Sequence, residues 1–185
     1  VDSGSICTEE SPLEPISIYG KTKCEAENYI LDHGHTSLRL ATVFGSSYRF
    51  RKDLLVNDFT LKAVTDGYVI LFEHHFKRNY IHIRDVILAM THMMGIPQNT
   101  RNYEDGATFF YRDEPSYDMG GSIEGESHFF YPTGEAYNVG LSTANLSKLE
   151  LCEKIKEHYP CFDIKTSNYA SDPDKRNYIV SNEKL

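Results

Sequence analysis

Short apolar runs alternate with longer amphipathic stretches along this chain, and that alternation limits the fold more than any other feature. "SLRLATVFG" (37–45), "YVILF" (68–72), "RNYIHI" (78–83), "AYNVG" (136–140) and "FDIKTS" (162–167) are rich in β-branched and aromatic residues and too short for buried helices. Helical periodicity lies between them, over 18–33, within 53–67, over 84–95 and within 146–159. Strands taking turns with helices predict an α/β domain with a largely parallel sheet.

Local signals mark the helix ends. Pro12 and Pro15 keep the approach extended, and Ser17 is placed to cap a helix from about Ile18 to His33. Its apolar stripe is read as Ala26, Ile30 and Leu31, with Lys21, Glu25 and Glu27 facing water. Leu54, Leu55, Phe59 and Ala63 give the next helix its buried side. Asp85 reads as the cap of the third helix. Ser147 and Glu150 form a capping-box pattern ahead of Leu149, Cys152, Ile155 and Tyr159.

Residues 97–134 break the rhythm. They hold seven acidic and two basic residues, eight aromatics and five glycines, too aromatic for a flexible linker. "GATFFYRD" and "ESHFFYPTG" read as two strands around "GGSIEG", an inserted hairpin; a disordered loop is the alternative, given the glycines and acidity.

The net charge of -8 argues against a nucleic-acid partner, which needs a basic face. It leaves room for an anionic small molecule held by a few local donors. No apolar run approaches the roughly 20 residues of a membrane span. Cys7, Cys24, Cys152 and Cys161 show neither Cys-x-x-Cys nor zinc spacing, so reduced thiols in a cytoplasmic protein are expected. His33/His35 and His74/His75 lack carboxylates at metal-ligand spacing, and no metal is expected.

Two Tyr-x-x-x-Lys pairs occur, Tyr19/Lys23 and Tyr48/Lys52, where about one is expected by chance. Tyr48/Lys52 falls in "GSSYRFRKD", a loop. Tyr19/Lys23 opens a helix, where residues four apart share a face. A cation beside a phenol favours phenolate, so the pair can move a proton on or off a hydroxyl. On spacing alone, an exposed helix start is the favoured reading.

The surrounding residues extend the pattern. "EESPLEPISIYGKTKCEAE" resembles the active-site segment of the extended short-chain dehydrogenase/reductases, the NAD-dependent epimerase/dehydratase family, with its acidic residue, prolines, Tyr-Gly-x-(Ser/Thr)-Lys and Ala-Glu. "LRLATVFG", "LLVNDFTLKAVTDG", "RNYIHIRDV", "YNVG" and "DPDKRNYIVSNEK" resemble later segments of the family, in order. The fold implied is the second half of a Rossmann-type doubly wound parallel sheet with a smaller substrate-binding part. On that reading residues 1–185 form a partial domain carrying the 97–134 insert, and the N-terminal half with its G-x-x-G-x-x-G phosphate loop is absent.

The resemblance implies Tyr19 as catalytic acid or base and Lys23 as the cation that supports it and bonds the nicotinamide ribose. Ala41 and Val43 would line the cofactor. Thr42, Asn57, Arg78, Asp174 and Arg176 would contact substrate; 4-epimerases usually carry Asn where Thr42 stands. Arg78 is chemically apt, since a guanidinium fork matches phosphate oxygens; a surface ion pair with Glu73 or Asp85 is the alternative. His82 reads as a supporting histidine. The implied cofactor is NAD, with NADP open. The implied partners are a nucleotide sugar and a second copy of the chain in a homodimer. The implied activity is epimerisation or dehydration. The alternatives are 4-reduction or 4,6-dehydration in the same family, and a non-catalytic sensor or scaffold of the same fold.

Overall fold

A computed structural model describes residues 6–94, 100–102, 108–110, 134–167, 169 and 177–185. The chain divides into two units, 1–86 with 132–185, and 87–131. In chain order the first elements are β1 (Ile6–Cys7), α1 (Ile18–Asp32), β2 (Ser37–Leu40), β3 (Thr42–Phe44), α2 (Leu55–Thr65), β4 (Tyr68–Phe72), β5 (Lys77–His82) and α3 (Ile83–Met93). β6 (Thr100–Asn102), β7 (Thr108–Phe110), β8 (Ala136–Val139), β9 (Asn145–Ser147), α4 (Lys148–His158), β10 (Asp163–Ser167) and β11 (Ile179–Val180) follow, with a 3-10 turn at Ser142–Ala144 before β9.

In the first unit the strand pairs β1–β11, β2–β8, β3–β5 and β4–β10 are parallel, and β5–β9 is antiparallel. The stretch expected as one strand over 37–45 is two. Ser37–Leu40 pairs with Ala136–Val139, and Thr42–Phe44 pairs with Tyr80–His82. The chain changes partner at Ala41, whose amide still donates to the Val139 carbonyl at 2.8 Å. A parallel sheet opens crevices where neighbouring strands part. Gly45 then turns the chain away with φ 125°, and a Cβ there would lie 2.7 Å from His82 Nε2.

The main core gathers Val56, Phe59 and Ala63 of α2, Val69 and Leu71 of β4, Tyr80 of β5, Leu151 and Cys152 of α4, and Phe162. At roughly 1.5–3 kcal/mol for each large apolar side chain buried, this cluster dominates the cohesion of the unit. Burial pushes the Cys152 thiol up to about 12, so it acts as a small apolar group. The capping box predicted for α4 is present: Glu150 N–H donates to Ser147 Oγ at 3.2 Å, and Ser147 N–H donates to the Glu150 carboxylate at 2.7 Å. The expected apolar side of α4 holds for Leu149, Cys152 and Ile155, which pack in the core together with Leu151, whereas Tyr159 follows the helix end and is exposed.

α1 departs from expectation. Ser17 caps it as predicted, accepting from the Gly20 amide at 3.0 Å. Its inward face, however, is centred on a carboxylate. Glu27 is 9% exposed and is the one buried residue of the helix, while Ala26 is exposed and Cys24, Ile30 and Leu31 are half-buried. Arg39 of β2 grips the Glu27 carboxylate with Nε (3.0 and 3.1 Å) and Nη2 (2.7 Å), and the Ser37 hydroxyl donates to it at 2.9 Å. The remaining guanidinium nitrogen, Nη1, donates to the Glu9 carbonyl at 2.9 Å. Burial by itself would raise the Glu27 carboxyl and is the largest single influence. The hydrogen bonds from Arg39 and Ser37 together outweigh it and hold the group below the ordinary carboxylate value.

Asp85 lies within the first turn of α3 rather than before it, so it faces the helix dipole without being the cap. In the second unit β6 and β7 form an antiparallel hairpin, with Thr100 opposite Phe110 and Asn102 opposite Thr108. A strand is thus present within "GATFFYRD", but its partner is the segment before it. The expected partner "ESHFFYPTG" lies, except for Gly134, outside the described residues. No helix among the described residues is long and apolar enough to cross a membrane.

Candidate active site

The first turn of α1 places the tyrosine and lysine. Ser17 fixes the helix start, and the Thr22 hydroxyl donates back to the Tyr19 carbonyl at 2.9 Å. Lys23 Nζ lies 5.5 Å from the centre of the Tyr19 ring, within the range of a cation–π contact. Tyr19 is 72% exposed, and its ring forms part of the rim of a cavity of about 630 Å³. The other Tyr–Lys pair is different: Tyr48 is fully exposed in the loop after Gly45.

The cavity wall forms where β2 hands over to β3. Leu40, Ala41 and Thr42 line it there, and Arg78, Asn79 and Tyr80 of β5 line it beside them. Asn138, Lys148, Tyr178 and Asn182 complete the polar side, with Val180 among them. Gly140 is needed behind this wall, because a Cβ at that position would run into the Asn79 side chain. Asn79 in turn donates to the Leu141 carbonyl at 2.8 Å.

Cationic groups concentrate here in a chain of net charge -8. Arg39, Arg78 and Lys148 all reach the wall. Arg39 is held charged chiefly by its hydrogen bonds to Glu27, which raise it above the ordinary guanidinium value. Arg78 donates to the Lys77 carbonyl at 3.0 Å and lies 5.4 Å from the centre of the Tyr178 ring. Lys148 donates to the Phe72 carbonyl at 3.1 Å. Two buried polar atoms of the wall lack a hydrogen-bond partner among the described residues, the Tyr80 hydroxyl and the Asn182 side-chain oxygen. Burial pushes the Tyr80 phenol up to about 12, so it is a neutral donor and acceptor. Unpaired buried polar atoms cost free energy until a ligand or water satisfies them, so the cavity suits a polar guest.

The residues expected from sequence separate accordingly. Tyr19, Ala41, Thr42 and Arg78 line the same cavity, with Lys23 beside Tyr19. Val43 is half-buried in β3 and is not part of the lining. Asn57 is buried. Its oxygen accepts from the Gly45 amide at 3.0 Å, and its nitrogen donates to the Gly45 and Arg51 carbonyls at 3.3 and 2.9 Å. It therefore fastens the loop after β3. Asp174 and Arg176 lie outside the described residues. His82 stacks edge-on to Phe44 and accepts from the Arg84 amide at 3.2 Å, a supporting position.

Sequence reasoning missed Arg39, Asn79, Asn138, Lys148, Tyr178 and Asn182 in the wall. A signal was available for some. Asparagine inside an apolar strand, as in "YNVG", has to find buried partners; Asn138 N–H donates to the Glu9 carboxylate at 2.8 Å and its amide to the Ser181 carbonyl at 3.1 Å.

The donor set fits part of a nicotinamide dinucleotide. A phenol and an ammonium on one helix turn can bond ribose hydroxyls, with Ala41 offering an apolar surface nearby. No glycine-rich phosphate loop occurs in the sequence to cradle the dinucleotide's pyrophosphate.

Comparison with solved structures agrees with the fold. Dehydratase and epimerase chains match nearly the whole of this one. dTDP-glucose 4,6-dehydratase from Bacillus anthracis, solved with NAD, is 19% identical over 100% of this chain and 49% of its own, with a TM-score of 0.67. UDP-glucose 4-epimerase from Thermotoga maritima, solved with UDP-glucose, is 19% identical over 99% and 50%, with a TM-score of 0.66. ADP-L-glycero-D-manno-heptose-6-epimerase from Helicobacter pylori is 20% identical over 98% and 48%, with a TM-score of 0.65. The α/β fold with parallel strand pairs is thus of the Rossmann type seen in those enzymes, and the chain spans about half the length of each. Residues 3–106, more than half of the sequence, match the sequence model of one family. The chain belongs to the NAD dependent epimerase/dehydratase family.

Proposed function

We propose that this chain forms the substrate side of an NAD-linked nucleotide-sugar epimerase or dehydratase, in which Tyr19 moves the proton of the reacting sugar hydroxyl. One observation carries the reading: Tyr19, with the Lys23 ammonium beside its ring, borders the same cavity as Thr42 and Arg78. NAD, when bound, supplies the hydride acceptor. Tyr19 takes the hydroxyl proton onto its phenol oxygen and returns it when the hydroxyl re-forms. Lys23 favours charge on that oxygen and bonds the ribose. Ala41 and Val43 flank the cofactor side. Thr42 offers a hydroxyl to the sugar, and Arg78 faces the diphosphate with charge that matches it. Asp174 and Arg176 are proposed as further substrate contacts, and Asn57 as the residue that holds the adjoining loop in shape.

Within the family's domain, residues 1–185 are proposed to contribute the active-site helix, the strands that follow it and the substrate-binding part. The 97–134 insert is proposed as an aromatic surface element that meets the parent domain or a second copy in a homodimer. The four free thiols fit a reducing cytoplasmic setting.

Tyr19→Phe in the full-length protein tests the chemistry. Turnover is expected to fall at least about a hundredfold, the usual scale of general acid–base catalysis, with little change in cofactor affinity. Near-normal turnover would overturn the assignment. Product analysis by NMR separates an epimer from a 4-keto-6-deoxy sugar.

A further inference from the structure

We propose that the buried Glu27–Arg39 pair is a positioning device for Tyr19 and Lys23, fixing the rotation of α1 about its own axis. This inference rests on the catalytic reading of Tyr19 given above. A surface helix is normally oriented by an apolar stripe sunk into the core. α1 has no such stripe: Glu27 is its one buried residue, and its apolar neighbours are half-buried or exposed. Within residues 1–185, rotation is then set largely by what holds Glu27. The grip is directional, since an Arg fork meets both carboxylate oxygens and accepts a narrow range of approach. The Ser37 hydroxyl fixes the same carboxylate from β2, and Arg39 is itself fixed by the Glu9 carbonyl.

Helical geometry transmits this to the site. Lys23 and Glu27 are four residues apart, about 40° around the axis, and Tyr19 lies about a further 40° on. All three sit on one slowly drifting stripe. Side-chain ends lie about 5–6 Å from the axis, so a 10° rotation displaces the Tyr19 phenol by about 1 Å. A misplacement of that size can cost about a hundredfold in rate. Arg39 also lines the cavity, so a single residue orients the helix and forms part of the wall beneath it.

The test compares Glu27→Gln with Phe162→Leu, a core variant of the α2–β4–α4 cluster, in the full-length protein. Glu27→Gln keeps the shape and removes the charge. Turnover per folded molecule is expected to fall about tenfold to a hundredfold, with the KM for nucleotide sugar within about threefold. Amide hydrogen exchange over residues 19–27 should quicken relative to α4. Phe162→Leu should lower the melting temperature and quicken α4 instead, with turnover per folded molecule retained. Should Glu27→Gln not fold, Arg39→Lys keeps the charges but loses the two-pronged grip, and the same losses are expected. Normal turnover per folded molecule in the charge variant, or equal losses in the two single variants, would overturn the proposal while leaving the role of Tyr19 intact. An active Tyr19→Phe would remove both.

Discussion

Two arginine–carboxylate forks in this chain have nearly the same bond geometry and contrasting surroundings. Arg39 holds Glu27 with a shortest contact of 2.7 Å, and Arg51 holds Asp53 with one of 2.6 Å. The first pair has side-chain exposures of 21% and 10%, the second 57% and 65%. Bond length therefore says little about what either pair does. Arg39–Glu27 joins α1 to β2 across 12 residues of sequence, in a largely buried setting where water replaces a lost partner less readily. Arg51–Asp53 joins residues two apart in a loop, and water can replace either one.

Removing one partner is the most direct way to break the comparison. Arg39→Met keeps much of the volume but leaves the Glu27 carboxylate buried without its counter-charge. Breaking a buried pair from one side typically costs about 3–5 kcal/mol. The low end, about 3 kcal/mol, is expected here, because Arg39 is one-fifth exposed and Ser37 still donates to the carboxylate. Urea unfolding measures it. A loss under about 1 kcal/mol would put the pair with ordinary surface ion pairs.

Acid sharpens the contrast next. The folded-state value of Glu27 lies below its ordinary 4.5. The stability it contributes is thus fully present above about pH 4.5 and is lost as pH falls through the lower, folded value. The difference in melting temperature between wild type and Glu27→Gln should therefore be largest near neutrality and shrink on acidification below pH 4.5. A difference that stays constant down to pH 3 would show that another group carries the acid sensitivity.

The same contrast explains what could be read from sequence. Ser17 and the Ser147–Glu150 box were legible, because a cap and the amide it serves lie three residues apart. Glu27 was misread as solvent-facing, because its partners are 10 and 12 residues on and no local pattern reports them. Range also explains the missed strands. β1 and β11 are two residues each and are defined only by pairing with one another across the length of the chain. The break at Ala41 was invisible for a related reason: "SLRLATVFG" is one apolar run, and only the separate partners β8 and β5 divide it. At the site, Tyr19, Lys23, Ala41, Thr42 and Arg78 were found because the family's ordered segments point to them. Lys148 was not, because it enters the wall from outside the matched segments, and Asn182, inside the last of them, was given no role there.

The smallest expected effect belongs to the exposed fork, and it is the more exacting test of the argument. The Arg51 guanidinium hydrogen-bonds Asp53 and holds its carboxyl down at about 2. Read as stability, that displacement would make Asp53 an anchor of the loop after Gly45. Solvent argues otherwise. Both groups are more than half exposed, salt screens their attraction, and holding two side chains in one geometry costs rotamer entropy. Asn57, buried beneath the loop with three hydrogen bonds to Gly45 and Arg51, is the better anchor. Asp53→Asn should therefore leave the melting temperature unchanged within measurement error, at low salt and at 0.5 M salt alike, about three times the ionic strength at which the Debye length is near 8 Å. A clear destabilisation that fades as salt is added would mean that the exposed pair does hold the loop, and that geometry, more than burial, separates the two forks.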